Sequence, residues 1–155
     1  MNYLTFIAAV IVVIYTVVMC IKNKGIPESL SQTAFFLSTK AKWLFGAVMI
    51  VCGVLLGIVM IDKSSENTQF LAFLTLVSLC GVGVTPLFNI DTRKAHYVFA
   101  IAGGILPSLC IVFNNPLCLL PWFGYVFYTL LTDDKSETFW SETACFVSIL
   151  LYCIF

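Results

Sequence analysis

Charge is scarce in this 155-residue chain: 10% of its residues are Asp, Glu, Lys or Arg, against about 25% in a soluble domain. With 61% apolar residues and a mean hydropathy of +1.03, it has too little polar surface to cover a water-facing globule. The expected solvent is a lipid bilayer. Net charge is zero and no block of like charge is present, which excludes nucleic acid as an expected partner. There is one histidine, too few for a three-histidine zinc shell, and no metal or other cofactor is expected. The chain has no G-x-S-x-G, H-E-x-x-H, P-loop or G-x-G-x-x-G. No span carries an arginine ladder or a line of acids, so a voltage sensor or multi-site proton pump is excluded as well. Seven cysteines stand singly in apolar runs, without C-x-x-C, and read as small apolar filler rather than a disulfide framework.

What is there is a series of long apolar runs separated by short polar breaks. Crossing about 30 Å of hydrocarbon takes roughly 20 residues as helix, and unsatisfied backbone is too costly in lipid for open strands. The expectation is an all-α bundle of six transmembrane helices forming a single integral membrane domain over 1–155. The spans fall at about 2–21, 43–61, 69–87, 96–113, 117–132 and 138–155. Residues 2–21 follow no basic segment and precede no small-residue cleavage site, so they read as a retained first span. Residues 25–42 are half polar and are expected to lie in the interface, or to begin an overlong second helix. Trp43 beside Lys40 and Lys42 is a headgroup anchor.

This arrangement puts Lys22, Lys24, Lys40, Lys42, Arg93, Lys94 and Lys135 on one side and only Lys63 on the other. Cations resist translocation, so the seven-cation side is expected to face the cytoplasm, with both termini on the non-cytoplasmic side. A bacterial inner membrane is the expected location.

Candidate site residues gather at that cytoplasmic level. The break 83–96 carries Asp91 and the sole histidine, His96. Ser29 and Ser31 lie in the connector, and Glu142 sits one turn inside the last helix, where a carboxylate needs a partner or a hydrated pocket. His96 and Glu142 should lie at similar depth. Together with Ser29, Ser31 and Asp91 they form a candidate ligand-binding group, suited to a polar clamp, an acid/base pair or a proton relay. The plainer alternative is that Glu142 pairs with Lys94 or Arg93 and fixes helix packing, with His96 and Asp91 as capping groups. No catalytic residue is assigned. Pro107 and Pro121 are expected to break neighbouring helices at one depth, about 18 Å from the cytoplasmic ends. Gly46, Gly53 and Gly57 share one helical face, a close-packing signature for another helix of the chain, a second copy or a partner membrane protein.

Pro27-x-Ser29-x-Ser31, the stretch Thr85-Pro86 through His96-Tyr97, and Phe139-Trp140-Ser141-Glu142 resemble small bacterial polytopic membrane proteins. The likeness extends faintly to the Frag/DRAM-type six-span group and more remotely to ceramidase-like membrane hydrolases. These pieces cover about a fifth of the chain. The resemblance implies a fold, since the hydrolases are organised around a zinc with several histidines and acids that this chain lacks. Three functions are therefore expected to compete: binding or transport of a small or lipidic ligand through a cytoplasm-facing pocket, a membrane-embedded lipid hydrolase with Ser29 or Ser31 as nucleophile and His96 as base, and a structural or accessory subunit.

Overall fold

The computed structural model describes residues 3–85, 90–132 and 137–155. Six α-helices follow in chain order: α1 Tyr3–Asn23, α2 Trp43–Lys63, α3 Gln69–Val84, α4 Arg93–Asn114, α5 Leu120–Leu131 and α6 Glu137–Ile154. Two 3-10 segments, Ser31–Phe36 and Pro116–Leu119, lie between α1 and α2 and ahead of α5. There is no strand among the described residues. Three helices, α1, α2 and α4, are long and apolar enough to cross a membrane, and α3 and Pro116–Leu131 are shorter apolar helices. Parts of two breaks of particular interest to the sequence reading, Pro86 to Asn89 and Asp133 to Ser136, lie outside the described residues.

Local chemistry sets the helix ends. α1 closes with Lys24 in the left-handed region (φ 55). Gly25 N–H donates to Cys20 O and Lys24 N–H to Ile21 O, both at 3.1 Å, the paired bonds that satisfy the last free carbonyls of a helix. Pro27 then prevents resumption, because proline has no N–H to give.

α2 is the centre of the bundle, packed against α1, α3 and α6. It buries Phe45, Cys52, Leu56, Val59 and Met60 against residues such as Met19 of α1 and Ile149 of α6. Outward-facing Val13, Ile14, Val17 and Ile21 of α1 are exposed, an apolar exterior that water would penalise by about 25 cal/mol per Å² and lipid would not.

The closest seam joins α2 to α3. A Cβ built on Gly46 would meet the Gly83 carbonyl oxygen at 2.5 Å; on Gly53, the Leu79 Cβ at 2.9 Å; on Gly57, the Leu76 Cβ at 2.5 Å. The whole glycine face is therefore covered by this chain's own α3, and it offers no surface to a partner helix.

Two expectations need correction. The 25–42 connector does not begin an overlong α2, which starts at Trp43. Instead it folds under the bundle, burying Leu30, Ser31, Thr33, Ala34 and Leu37. The Thr33 hydroxyl pairs with the Tyr15 hydroxyl at 2.6 Å, and Phe139 N–H donates to Glu28 O at 2.9 Å. Burial wins because alternate serine and threonine hydroxyls find partners within the chain. Pro121, for its part, does not break α5. It stands in that helix's first turn, where the missing N–H costs nothing. Pro107 does lie inside α4, and the carbonyl four residues back that it cannot serve, Gly103 O, instead faces the Cys145 thiol at 3.6 Å.

Candidate functional site

Three distant parts of the chain meet where the connector touches α4 and α6. His96 is 1% exposed. Its Nδ1 lies 2.6 Å from the Thr85 carbonyl oxygen and its Nε2 3.0 Å from the Ser31 hydroxyl. A carbonyl can only accept, so Nδ1 carries a hydrogen. In the neutral ring Nε2 is then the acceptor, and Ser31 donates to it. If the ring takes a second proton, Nε2–H donates and the Ser31 hydroxyl is freed to donate elsewhere.

Glu142 lines the same cavity as Ser31 and His96. Glu142 Oε2 accepts the Leu30 backbone N–H at 2.5 Å. The connector thus holds both ionisable groups at one end of an apolar bundle, His96 through the Ser31 hydroxyl and Glu142 through the adjacent Leu30 N–H.

Ser29 and Ser31, equivalent in the sequence, have different jobs. Ser29 Oγ accepts Gln32 N–H at 3.0 Å and shapes the turn of the connector. Only Ser31 bonds His96. Asp91 is exposed and does not reach the cavity.

Ser29, Ser31, His96 and Glu142 all line one cavity of about 720 Å³, within the usual range for small-ligand sites. Its other walls are apolar: Ile101 and Ile105 of α4, Phe123 and Val126 of α5, Phe146 and Ile149 of α6. The connector, α4 and α6 supply the polar end; α5 closes one flank.

The opposite end of the bundle is polar too, but built differently. The Ser64 hydroxyl bonds Met60 O at 2.6 Å and Tyr152 OH at 3.1 Å. Asn114 donates to Thr68 Oγ1 at 2.8 Å and Cys110 O at 2.7 Å, and accepts Ser65 N–H at 3.0 Å. These neutral groups satisfy each other and tie the α2–α3 turn to α4 and α6.

Some of the site had no sequence signal. The Thr85 carbonyl and Leu30 N–H are backbone groups, available at every position. The apolar walls of the cavity look in sequence like any lipid-facing helix.

No protein-family model, curated protein or solved structure matches this chain.

Proposed function

We propose that this chain is a six-span inner-membrane protein, with both termini on the non-cytoplasmic side, that binds or carries a small or lipidic ligand in a pocket facing the cytoplasm. The six-span reading takes α3, the segment 116–131 and α6 as spans beside the three longer helices; sixteen residues of helix cover about 24 Å, which a locally thinned bilayer accommodates. Positive charge sets the orientation. The observation that carries the ligand reading is the convergence of Ser31, His96 and Glu142 on one wall of a 720 Å³ cavity. A carboxylate bordering an apolar cavity is costly unless something pairs with it, occupies the cavity or hydrates it.

The test is ligand-dependent thermal stabilisation of the purified protein across a panel of lipids and metabolites. At least one compound is expected to raise the melting temperature of the wild type, with the shift lost in His96→Ala and Glu142→Gln. Identical shifts in all three proteins overturn the reading. For orientation, cysteines introduced at Arg93 and Lys63 should be labelled from opposite faces of intact cells; equal labelling from one face overturns the six-span map.

A membrane-embedded lipid hydrolase is the second reading, favoured by the 3.0 Å approach of the Ser31 hydroxyl to His96 Nε2. That is the reach a base needs to take the nucleophile's proton. Labelling of Ser31 by a fluorophosphonate, abolished in both Ser31→Ala and His96→Ala, would establish it, and absence of labelling removes it.

A further inference from the structure

The cavity is open along one side. α5 packs against α6, and α4 against α3 and α6, yet no backbone contact joins α4 to α5 among the described residues. The two helices meet only through the Pro116–Leu119 turn, which touches both. They therefore diverge from that turn towards the Ser31–His96–Glu142 end. The gap is lined by apolar side chains that are also exposed outward: Tyr97, Ile101 and Ile105 on α4, Phe123 and Val126 on α5.

Length and charge then restrict the occupant. From Tyr97 to Val112, both in the lining, α4 advances about 22 Å. That is roughly the depth of one bilayer leaflet including its headgroup zone. The far end is apolar, bounded by Val112 and Leu119; the near end holds Ser31, His96 and Glu142. Among the described lining residues Glu142 is the one carboxylate, and none is a lysine or arginine. A phosphate head would meet an acid with no cation to offset it, whereas a donor head would meet an acceptor.

We infer that the ligand is a single-chain amphiphile with a hydrogen-bond-donating head, an amine or a hydroxyl and not a phosphate, admitted sideways from the lipid between α4 and α5. Its head lies against Ser31, His96 and Glu142, and its chain runs along α4 towards the Pro116–Leu119 turn. This rests on the pocket reading above and adds the ligand's class and route.

Gly104 supplies the decisive variant. It lines the cavity, and a Cβ built on it meets nothing within 4 Å, so a larger side chain would enter the chain's path without touching the head-binding residues. Gly124 is equally open but lies outside the lining, which makes it the control. Trp122, in the lining near the closed end of the cleft, is a built-in reporter of chain depth.

The experiment uses the full protein in phosphatidylcholine nanodiscs and follows tryptophan fluorescence during titration with four probes. Three carry a bromine on the terminal carbon of a sixteen-carbon chain (roughly the leaflet depth given above): a primary amine, a monoacylglycerol and an alkyl phosphate. The fourth, unbrominated butylamine, is added as a competitor. The amine and the monoacylglycerol are expected to quench saturably, the phosphate to need at least tenfold more, and Trp122→Phe to lose the saturable quenching. Gly104→Leu should weaken both good probes at least tenfold while Gly124→Leu does not. Val126→Trp narrows the cleft from the other wall and serves if Gly104→Leu misfolds. Glu142→Gln should weaken the amine at least tenfold.

Equal quenching by the phosphate overturns the head assignment. Unchanged binding in Gly104→Leu and Val126→Trp, or full competition by butylamine, overturns the chain assignment while the pocket reading survives. If no probe quenches saturably, the inference fails, and the pocket reading then stands or falls by the thermal panel alone.

Discussion

The α2–α3 seam and the α4–α5 cleft are both built with glycine, to opposite ends. At the seam, Gly46 and Gly83 bring two backbones so close that a methyl group on Gly46 would lie 2.5 Å from the facing carbonyl oxygen. At the cleft, Gly104 has nothing within 4 Å of where a methyl would be. In lipid no hydrophobic force drives helices together, so association depends on close packing. The seam has it, whereas among the described residues no backbone contact joins α4 to α5. One half of the bundle is therefore closely packed, and the other leaves a cavity bordered by polar groups from three parts of the chain.

The sharpest way to break this comparison is Gly46→Ala. Its methyl collides with backbone that cannot rotate away, and a loss of about 3 kcal/mol or more is expected, read as a fall in the denaturation midpoint in detergent. Little change would mean the seam is looser than its geometry. A smaller effect is expected at Cys145→Val on α6, facing α4. The Gly103 carbonyl, already deprived of its helical partner by Pro107, would lose its remaining donor at a cost of about 1 kcal/mol. Cys145→Ser, which keeps a donor there, should recover most of that loss in the same thermal assay. The smallest effect belongs to Gly104→Ala, with opposite sign: with open space around it, alanine should stabilise the helix by about 0.5–1 kcal/mol. Destabilisation matching that of Gly46→Ala would erase the distinction between seam and cleft.

The polar ends repeat the contrast. Ser64, Thr68, Asn114 and Tyr152 form a neutral network with its bonds made internally. Ser31, His96 and Glu142 are also bonded, but two of the three are ionisable and all border a cavity. His96→Ala removes the partner of both the Thr85 carbonyl and Ser31, and a loss of about 2 kcal/mol is expected. That loss should be partly offset by a ligand that occupies the vacated space.

Much of this was legible in the residues, and the reasons differ by feature. Apolar runs of helical length between charged breaks set the helix positions; α2 starts at Trp43 and α6 at Glu137, at or next to the expected starts. His96 and Glu142 line one cavity, and it is the fixed rise per residue that lets a sequence suggest such a shared level. The connector was harder to read. Its alternation of hydroxyl and apolar residues does not tell which side chains are buried within the chain; partners such as Tyr15 for Thr33 and the Phe139 N–H for Glu28 O do. Pro121 reads as interior because it lies five residues into an apolar run, and the 3-10 turn ahead of it is what places it in the first turn of α5.

By itself the sequence determined the helical class, the approximate helix positions and the apolar character that suits three of the helices to a membrane, because these follow from composition and from distances along one chain. Which serine meets the histidine, which helix covers the glycines, and where two helices part were decided only by the tertiary structure. Each depends on contacts between residues far apart in the chain, such as Ser31 with His96 or Leu30 with Glu142, and on a gap between α4 and α5 that no local pattern encodes.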